Sequence, residues 1–156
     1  EQMGKLKAVF TQNIDGLHQK AGSKTVYELH GSVLRNNCMD CGTYYDLDYI
    51  MDPANCKGLI PKCAKCGGTI KPDVVLYEEA LDDAQISGAV DAIRKADVLI
   101  IGGTSLVVYP AAGFISYFRG SKMVLINKSE TSYDGNADLV IHDPIGQVLK
   151  AATAGL

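Results

Sequence analysis

The sequence predicts an α/β protein, a parallel sheet with helices on both faces and a small metal-held module set into the chain. Three observations carry this. Short apolar runs recur and end in glycine or polar residues. Amphipathic stretches alternate with them, the pattern of strand–helix–strand units. Two Cys-x-x-Cys pairs interrupt that alternation.

The first run, residues 7–11, reads as a buried parallel strand entering the polar stretch Gln12-Asn13-Ile14-Asp15-Gly16. In open α/β sheets, ligands bind beyond the carboxyl ends of the strands. Gln12, Asn13 and Asp15 therefore stand where ligand contacts are expected, although Asn and Asp also suit a plain capped turn. Residues 25–29 form a second strand that leads into His30-Gly31-Ser32. A histidine at a strand end can face a cleft, and its imidazole is the side chain suited to move protons near neutral pH. His30 is thus a candidate general base, with a structural role as the other reading. His18 is expected to support its loop, and His142 to lie near a strand end.

Residues 35–75 form the module. Cys38-Met39-Asp40-Cys41 and Cys63-Ala64-Lys65-Cys66 place four thiolates at a separation that closes one tetrahedral Zn²⁺ site. Gly42 and Gly67-Gly68 let the backbone turn sharply beneath the metal. Four protein ligands leave no position for water, so the ion is structural and the chemistry lies elsewhere. Two disulfides or four free thiols are the other readings. Between the pairs, residues 44–47 suggest a strand and residues 52–55 a turn. Cys56 lies outside both pairs and is not expected to be a ligand; it reads as a small buried residue, with an exposed thiol as the other reading.

Residues 73–77 favour β structure. Residues 81–96 read as an amphipathic helix, with Ile86, Ala89, Val90 and Ile93 at helical spacing and Asp82 and Asp83 near its start. Residues 97–105 are a buried strand running into Gly102-Gly103-Thr104-Ser105. Pro110 and residues 111–113 then open a helix to about residue 118. Strand, glycine loop and helix bring backbone N–H groups and hydroxyls close to a nucleotide. The loop is neither a GxGxxG fingerprint nor a Walker loop. Residues 123–127 and 139–141 are further short strands, and Asp143-Pro144 starts a terminal helix carrying Ile145, Val148 and Leu149.

The 156 residues suffice for one core plus the module. Charged residues make up 21% and apolar ones 47%, ordinary for a soluble globular protein. Net charge is −3 with no Lys/Arg-rich run, which argues against nucleic acid as the main partner. The most apolar window, residues 98–115, is broken by the glycine loop and Pro110 and does not read as a membrane span. Cysteines in a zinc-type pattern point to a reduced, cytoplasmic setting.

These motifs together resemble the sirtuin family, the NAD-dependent protein deacylases. The matching segments are TQNIDGLH from Thr11, ELHGS from Glu28, the two Cys pairs and KPDVV from Lys71. They continue with Gly103-Thr104-Ser105-Leu106, Pro110-Ala111-Ala112 and Ile126-Asn127, in the family's order and over nearly the whole chain.

The resemblance implies a Rossmann-like NAD-binding domain, residues 1–34 and 76–156, with the zinc module inserted. NAD and an acyl-lysine peptide would enter a cleft. His30 would be the general base and Asn13 a second catalytic position. Nicotinamide would leave, and the products would be free lysine and O-acyl-ADP-ribose. Gln12, Asn13, Ile14 and Asp15 would line the nicotinamide and ribose end. Gly103, Thr104 and Ser105 would hold ribose and phosphates, and Asn127, Lys128, Ser129 and Ile145 the adenosine side. The peptide would add as a strand between Val75-Leu76-Tyr77 and Leu106-Val107-Val108, with Val75 and Tyr77 walling the acyl-lysine tunnel.

The chain departs from the family in two places. It starts just before residues 7–10, without the family's first strand and Gly-Ala-Gly phosphate loop, so a fragment that binds NAD poorly is expected. It also has Tyr77-Glu78-Glu79 where the family usually has Phe-Gly-Glu, and Lys71 for the usual Arg. Mono-ADP-ribosyl transfer and a non-enzymatic zinc-ribbon interaction module are the competing readings.

Overall fold

The computed structural model describes residues 1–109 and 111–155. The chain divides into two compact units, Glu1–Ser87 and Gly88–Leu156.

In the first unit, β1 (Val9–Thr11) and β2 (Val26–Glu28) pair in parallel, Val9 opposite Val26 and Thr11 opposite Glu28. The short helix α1 (Leu17–Lys20) lies between them in sequence. It begins at Gly16, whose φ of 68° is the left-handed conformation that glycine adopts without strain. A Cβ at Gly16 would also run into the Leu34 side chain.

The module follows as an antiparallel sheet. β3 (Gly31–Cys38) is its centre, flanked by β4 (Tyr44–Tyr45) and β7 (Ile70–Val74). Helix α2 (Leu47–Met51) comes after β4, capped by Asp46, whose carboxylate accepts the Tyr49 N–H. This corrects the strand expected over residues 44–47: an acidic N-cap stops β4 at Tyr45. The turn expected at residues 52–55 is a 3-10 turn, Pro53–Asn55, capped by Asp52. The small hairpin β5 (Cys56–Lys57) and β6 (Ile60–Pro61) precedes the second cysteine pair.

β7 also differs from expectation. It ends at Val74, so residues 75–77 lie outside it, and it contains Pro72. Proline has no N–H for the ladder. The β3–β7 register shifts beside it: Ser32 faces Asp73, then Asn36 faces Pro72, and Val33, Leu34 and Arg35 bulge out.

Helix α3 (Asp83–Lys95) has Ala89, Val90 and Ile93 buried, on the face that the helical spacing marked. In the second unit, β8 (Val98–Gly102), β9 (Lys122–Ile126) and β10 (Leu139–Ile141) form a parallel sheet in the order β10-β9-β8. Its core is Ile101, Leu106 and Leu125, with Leu99, Met123 and Val140 packed around them. β8 is less buried than its apolar sequence suggested, with Val98 and Ile100 about half exposed. They alternate with the inward Leu99 and Ile101 on an edge strand with one open face. Between β8 and β9 the expected helix is a 3-10 helix, Ala111–Tyr117. Pro110, placed at its start by the sequence, lies outside the described residues. The last helix, α4 (Ile145–Ala152), carries Ile145, Val148 and Leu149 as expected.

Candidate functional site

The metal centre is built by two tight turns on the first unit. One follows β3, where the Gly42 N–H bonds the Cys38 carbonyl. The other precedes β7, where the Gly67 N–H bonds the Cys63 carbonyl. The four sulfurs of Cys38, Cys41, Cys63 and Cys66 all lie within 4.8 Å of one another. Across the two pairs, Cys38 to Cys66 is 3.4 Å and Cys41 to Cys63 is 3.6 Å. These distances exclude disulfides, whose sulfurs sit about 2.05 Å apart. They suit a tetrahedron with Zn–S near 2.3 Å, whose edges are about 3.8 Å.

The thiols share their charge unevenly. Burial opposes ionisation of Cys63, but the Tyr45 hydroxyl and the N–H groups of Cys66 and Lys65 outweigh it, and its pKa falls to about 6. The Gly68 N–H favours the Cys66 thiolate, yet neighbouring Cys38 and Cys41 push its pKa up to about 12. A divalent cation resolves that conflict by taking all four as thiolates. The donor set therefore fits Zn²⁺. Cys56 stands apart, half-buried, with its sulfur 3.8 Å from the Ile50 carbonyl.

Sequence reasoning missed the groups that support these ligands. The Tyr45 hydroxyl lies 3.0 Å from the Cys63 sulfur and accepts the Ala64 N–H at 2.9 Å. With Cys63 a thiolate, the hydroxyl proton points to the sulfur. The Thr43 hydroxyl sits 3.1 Å from Cys41 and lowers that thiol's pKa. Tyr45 is buried in a small cluster with Cys38, Cys63 and Ile70, its ring 4.3 Å from that of Tyr49.

The second feature of this unit is the turn that carries His30. It follows β2, and the Leu29 N–H bonds the Thr11 carbonyl. His30 is half-buried, its Nδ1 3.0 Å from the Gln12 carbonyl. A carbonyl only accepts, so Nδ1 carries a proton, and in the neutral ring the lone pair is on Nε2. The predicted loop residues lie alongside. Gln12 and Ile14 are half-buried, Asn13 and Asp15 exposed. Asp15 accepts the Leu17 N–H, and the Ile14 carbonyl accepts the Val33 N–H. The structure thus joins residues 12–14 to His30 and to β3.

In the second unit, Gly103, Thr104, Ser105, Asn127, Lys128, Ser129 and Ile145 line one cavity of about 410 Å³. Ile126, Glu130, Asp143, Pro144 and Gly146 complete it. These five were missed as site residues, although their place beside Asn127, Ser129 and Ile145 in sequence was the available signal. A Cβ on Gly102 would collide with the Ile145 side chain, so glycine is what lets α4 approach the end of β8. The Thr104 hydroxyl accepts the Leu106 N–H at 3.2 Å and tightens the loop. His142 lies just past β10, its Nδ1 2.9 Å from the Asn127 carbonyl.

The segments expected to meet a peptide are described separately. Val75 is half-buried and its N–H bonds the His30 carbonyl, whereas Tyr77 is fully exposed. Val107 and Val108 are exposed, while Leu106 is buried with a φ of 57°. Glu78, at the position where the sirtuins usually have glycine, keeps a glycine-like backbone with a φ of 72°. Beside it Glu79 is held by the Leu76 N–H and Lys71, which lower its pKa.

Among the described residues no helix is long and apolar enough to cross a membrane.

The chain is 70% identical over 150 residues to an NAD-dependent protein deacetylase of Clostridium perfringens, and 66% identical over 150 residues to one of Clostridium acetobutylicum. Each match covers 96% of this chain and 60% of the relative, so the chain spans about three-fifths of their length. A solved structure of "Sir2-p53 peptide-NAD+" superposes with a TM-score of 0.90 at 35% identity, over 98% of this chain and 64% of that one. One of "Sir2 bound to acetylated peptide" gives 0.90 at 34% identity, over 98% and 65%. The Sir2 family pattern matches residues 1–110, and with the fold and the four-cysteine cluster it places this chain in the Sir2 family, the sirtuins.

Proposed function

We propose that the protein carrying this chain is an NAD-dependent protein lysine deacetylase. It consumes NAD and water with acyl-lysine in a protein or peptide and yields nicotinamide, free lysine and O-acyl-ADP-ribose. The observation that carries the reading is the His30 ring, with Nδ1 3.0 Å from the Gln12 carbonyl. That bond puts the lone pair of the neutral ring on Nε2, the tautomer that general-base catalysis at that atom needs. The identity to the clostridial deacetylases supports the same assignment.

Bound NAD supplies an ADP-ribosyl group for the acyl oxygen as nicotinamide departs. His30 Nε2 takes the proton of the ribose hydroxyl. Asn13, on an exposed loop beside it, orients the ribose and the reacting amide. Gln12, Ile14 and Asp15 shape the nicotinamide end. In the second unit, Gly103, Thr104 and Ser105 hold ribose and phosphates through loop N–H groups and hydroxyls. Asn127, Lys128 and Ser129 take the adenosine, with Ile145 against the base. The cavity of about 410 Å³ lined by these residues has room for such a group. Residues 75–77 and 106–108 receive the peptide main chain, with Val75 and Tyr77 beside the acyl-lysine.

Zinc on Cys38, Cys41, Cys63 and Cys66 is structural, since all its positions are filled by protein. We assign residues 35–75 to the inserted module, and residues 1–34 with 76–156 to the nucleotide-binding domain. A four-thiolate zinc site supports a reducing, cytoplasmic setting.

The test is mass spectrometry of the complete protein with NAD and an acetyl-lysine peptide. O-acetyl-ADP-ribose in step with deacetylated peptide is expected. ADP-ribose on a protein acceptor without deacetylated lysine, or no product from zinc-replete protein, would overturn the assignment.

A further inference from the structure

Three strands meet at the His30 turn, and one side chain ties them together. β2 enters it, β3 leaves it, and β7 runs alongside, its register placing Val74 opposite Gly31 and Asp73 opposite Ser32. The approach is close: a Cβ on Gly31, whose φ is 72°, would collide with the Asp73 carbonyl. The His30 carbonyl accepts the Val75 N–H at 3.1 Å. A shift of β7 or of the end of β2 therefore moves His30.

Arg35 spans these strands. Its backbone sits in the β3 bulge opposite the Asp73–Pro72 step, and bulges re-aim side chains. Nη1 donates to Glu28 at 2.7 Å and Nε to Asp73 at 2.9 Å. Glu28 is the last residue of β2 and only 7% exposed, so its carboxylate depends on that partner. Its backbone N–H is also taken, by Gln85 at 3.0 Å. Burial works against the Arg35 charge, but the bonds from Glu28 and Asp73 outweigh it and hold the guanidinium more firmly protonated than usual. A planar fork that bonds two carboxylates at once is a property of arginine that lysine lacks.

We infer that Arg35 is a positioning residue for His30: by bridging Glu28 at the end of β2 and Asp73 on β7, it holds the imidazole with Nδ1 on the Gln12 carbonyl and Nε2 free. The naming of His30 as the base rests on the proposed function; the positioning does not.

The test uses the complete zinc-loaded protein and Arg35→Gln, with two readouts. Imidazole ¹⁵N NMR reads the tautomer directly. A single Nδ1–H form is expected in the unmodified protein and a mixture of both tautomers in Arg35→Gln. Kinetics are expected to show kcat falling roughly tenfold, with KM for NAD and peptide within about twofold, the mark of a misplaced catalytic group. Arg35→Lys, which keeps the charge but lacks the planar fork, should recover part of the loss. Asp73→Asn breaks only the exposed arm, so it keeps the test open if Arg35→Gln does not fold, and should shift the tautomers less in the same direction. An unchanged tautomer and kcat in folded Arg35→Gln, or in Asp73→Asn if only that folds, would overturn the inference. An unmodified protein with no deacetylase activity would instead count against the proposed function, and the NMR result would still decide the role of Arg35.

Discussion

The module around Cys38–Cys66 and the sheet β8–β9–β10 solve the same problem by different means. The module's cluster is small and half sulfur: Cys38, Tyr45, Cys63 and Ile70. Two of its four ligands, Cys41 and Cys66, are exposed. The parallel sheet is held by Ile101, Leu106 and Leu125 and by aligned pairing along the whole of β8 and β9. A few apolar residues cannot offset the entropy of ordering a loop-rich segment, and a metal ion can. One region should therefore depend on zinc and the other should not.

Cys63→Ser breaks the comparison most severely. Loss of one ligand should release the metal and the order of residues 31–74, with β8–β10 unchanged. Hydrogen exchange should show protection lost in the module and retained at residues 98–102 and 122–126. Equal loss in both would mean that the metal does not act locally. Tyr45→Phe is milder. It removes the hydroxyl proton aimed at Cys63 and leaves the ring in place. Changes of this kind outside the ligand set typically cost 10–100-fold in metal affinity, and a loss of about tenfold is expected by competition with a chromogenic chelator.

Glu78→Gly probes a strain that belongs to neither region's core. A side chain at a φ of 72° costs on the order of 1 kcal/mol, so glycine should stabilise the chain by about that amount or slightly less. A fall in the midpoint of urea unfolding would contradict this. The smallest effect concerns the sheet unit. Lys122 and the Met123 N–H lower the pKa of Asp138. A lowered carboxylate pKa adds stability that is full above the unfolded value, near 3.9, and is lost as pH falls through the folded value. Asp138→Asn should therefore be less stable than the parent at pH 7. The difference should vanish in strong acid, which paired unfolding curves at the two pH values will show.

What could be read in the sequence follows the same division. The cysteine spacing announced the metal site because ligand geometry is local. The parallel strands showed as apolar runs, and the face of α3 as its spacing. Strand ends were harder. Asp46 ended β4 after Tyr44 and Tyr45 by capping a helix, and Pro72 sat inside β7 because a bulge in β3 absorbed it. The supporting contacts were not legible at all. Nothing near Tyr45 in sequence announces Cys63, and nothing near Arg35 announces Glu28 and Asp73, because those meetings are made by the fold. The place of His30 after a strand was legible; the bond from its Nδ1 to the Gln12 carbonyl required coordinates.

The most direct measurement is zinc content, NAD binding and product formation in His30→Ala of the complete protein. If the metal is structural and the chemistry rests on His30, the variant will hold one zinc per chain, bind NAD, and make no O-acetyl-ADP-ribose. Product at an undiminished rate, or loss of zinc along with activity, would contradict the separation of structural metal from catalytic histidine.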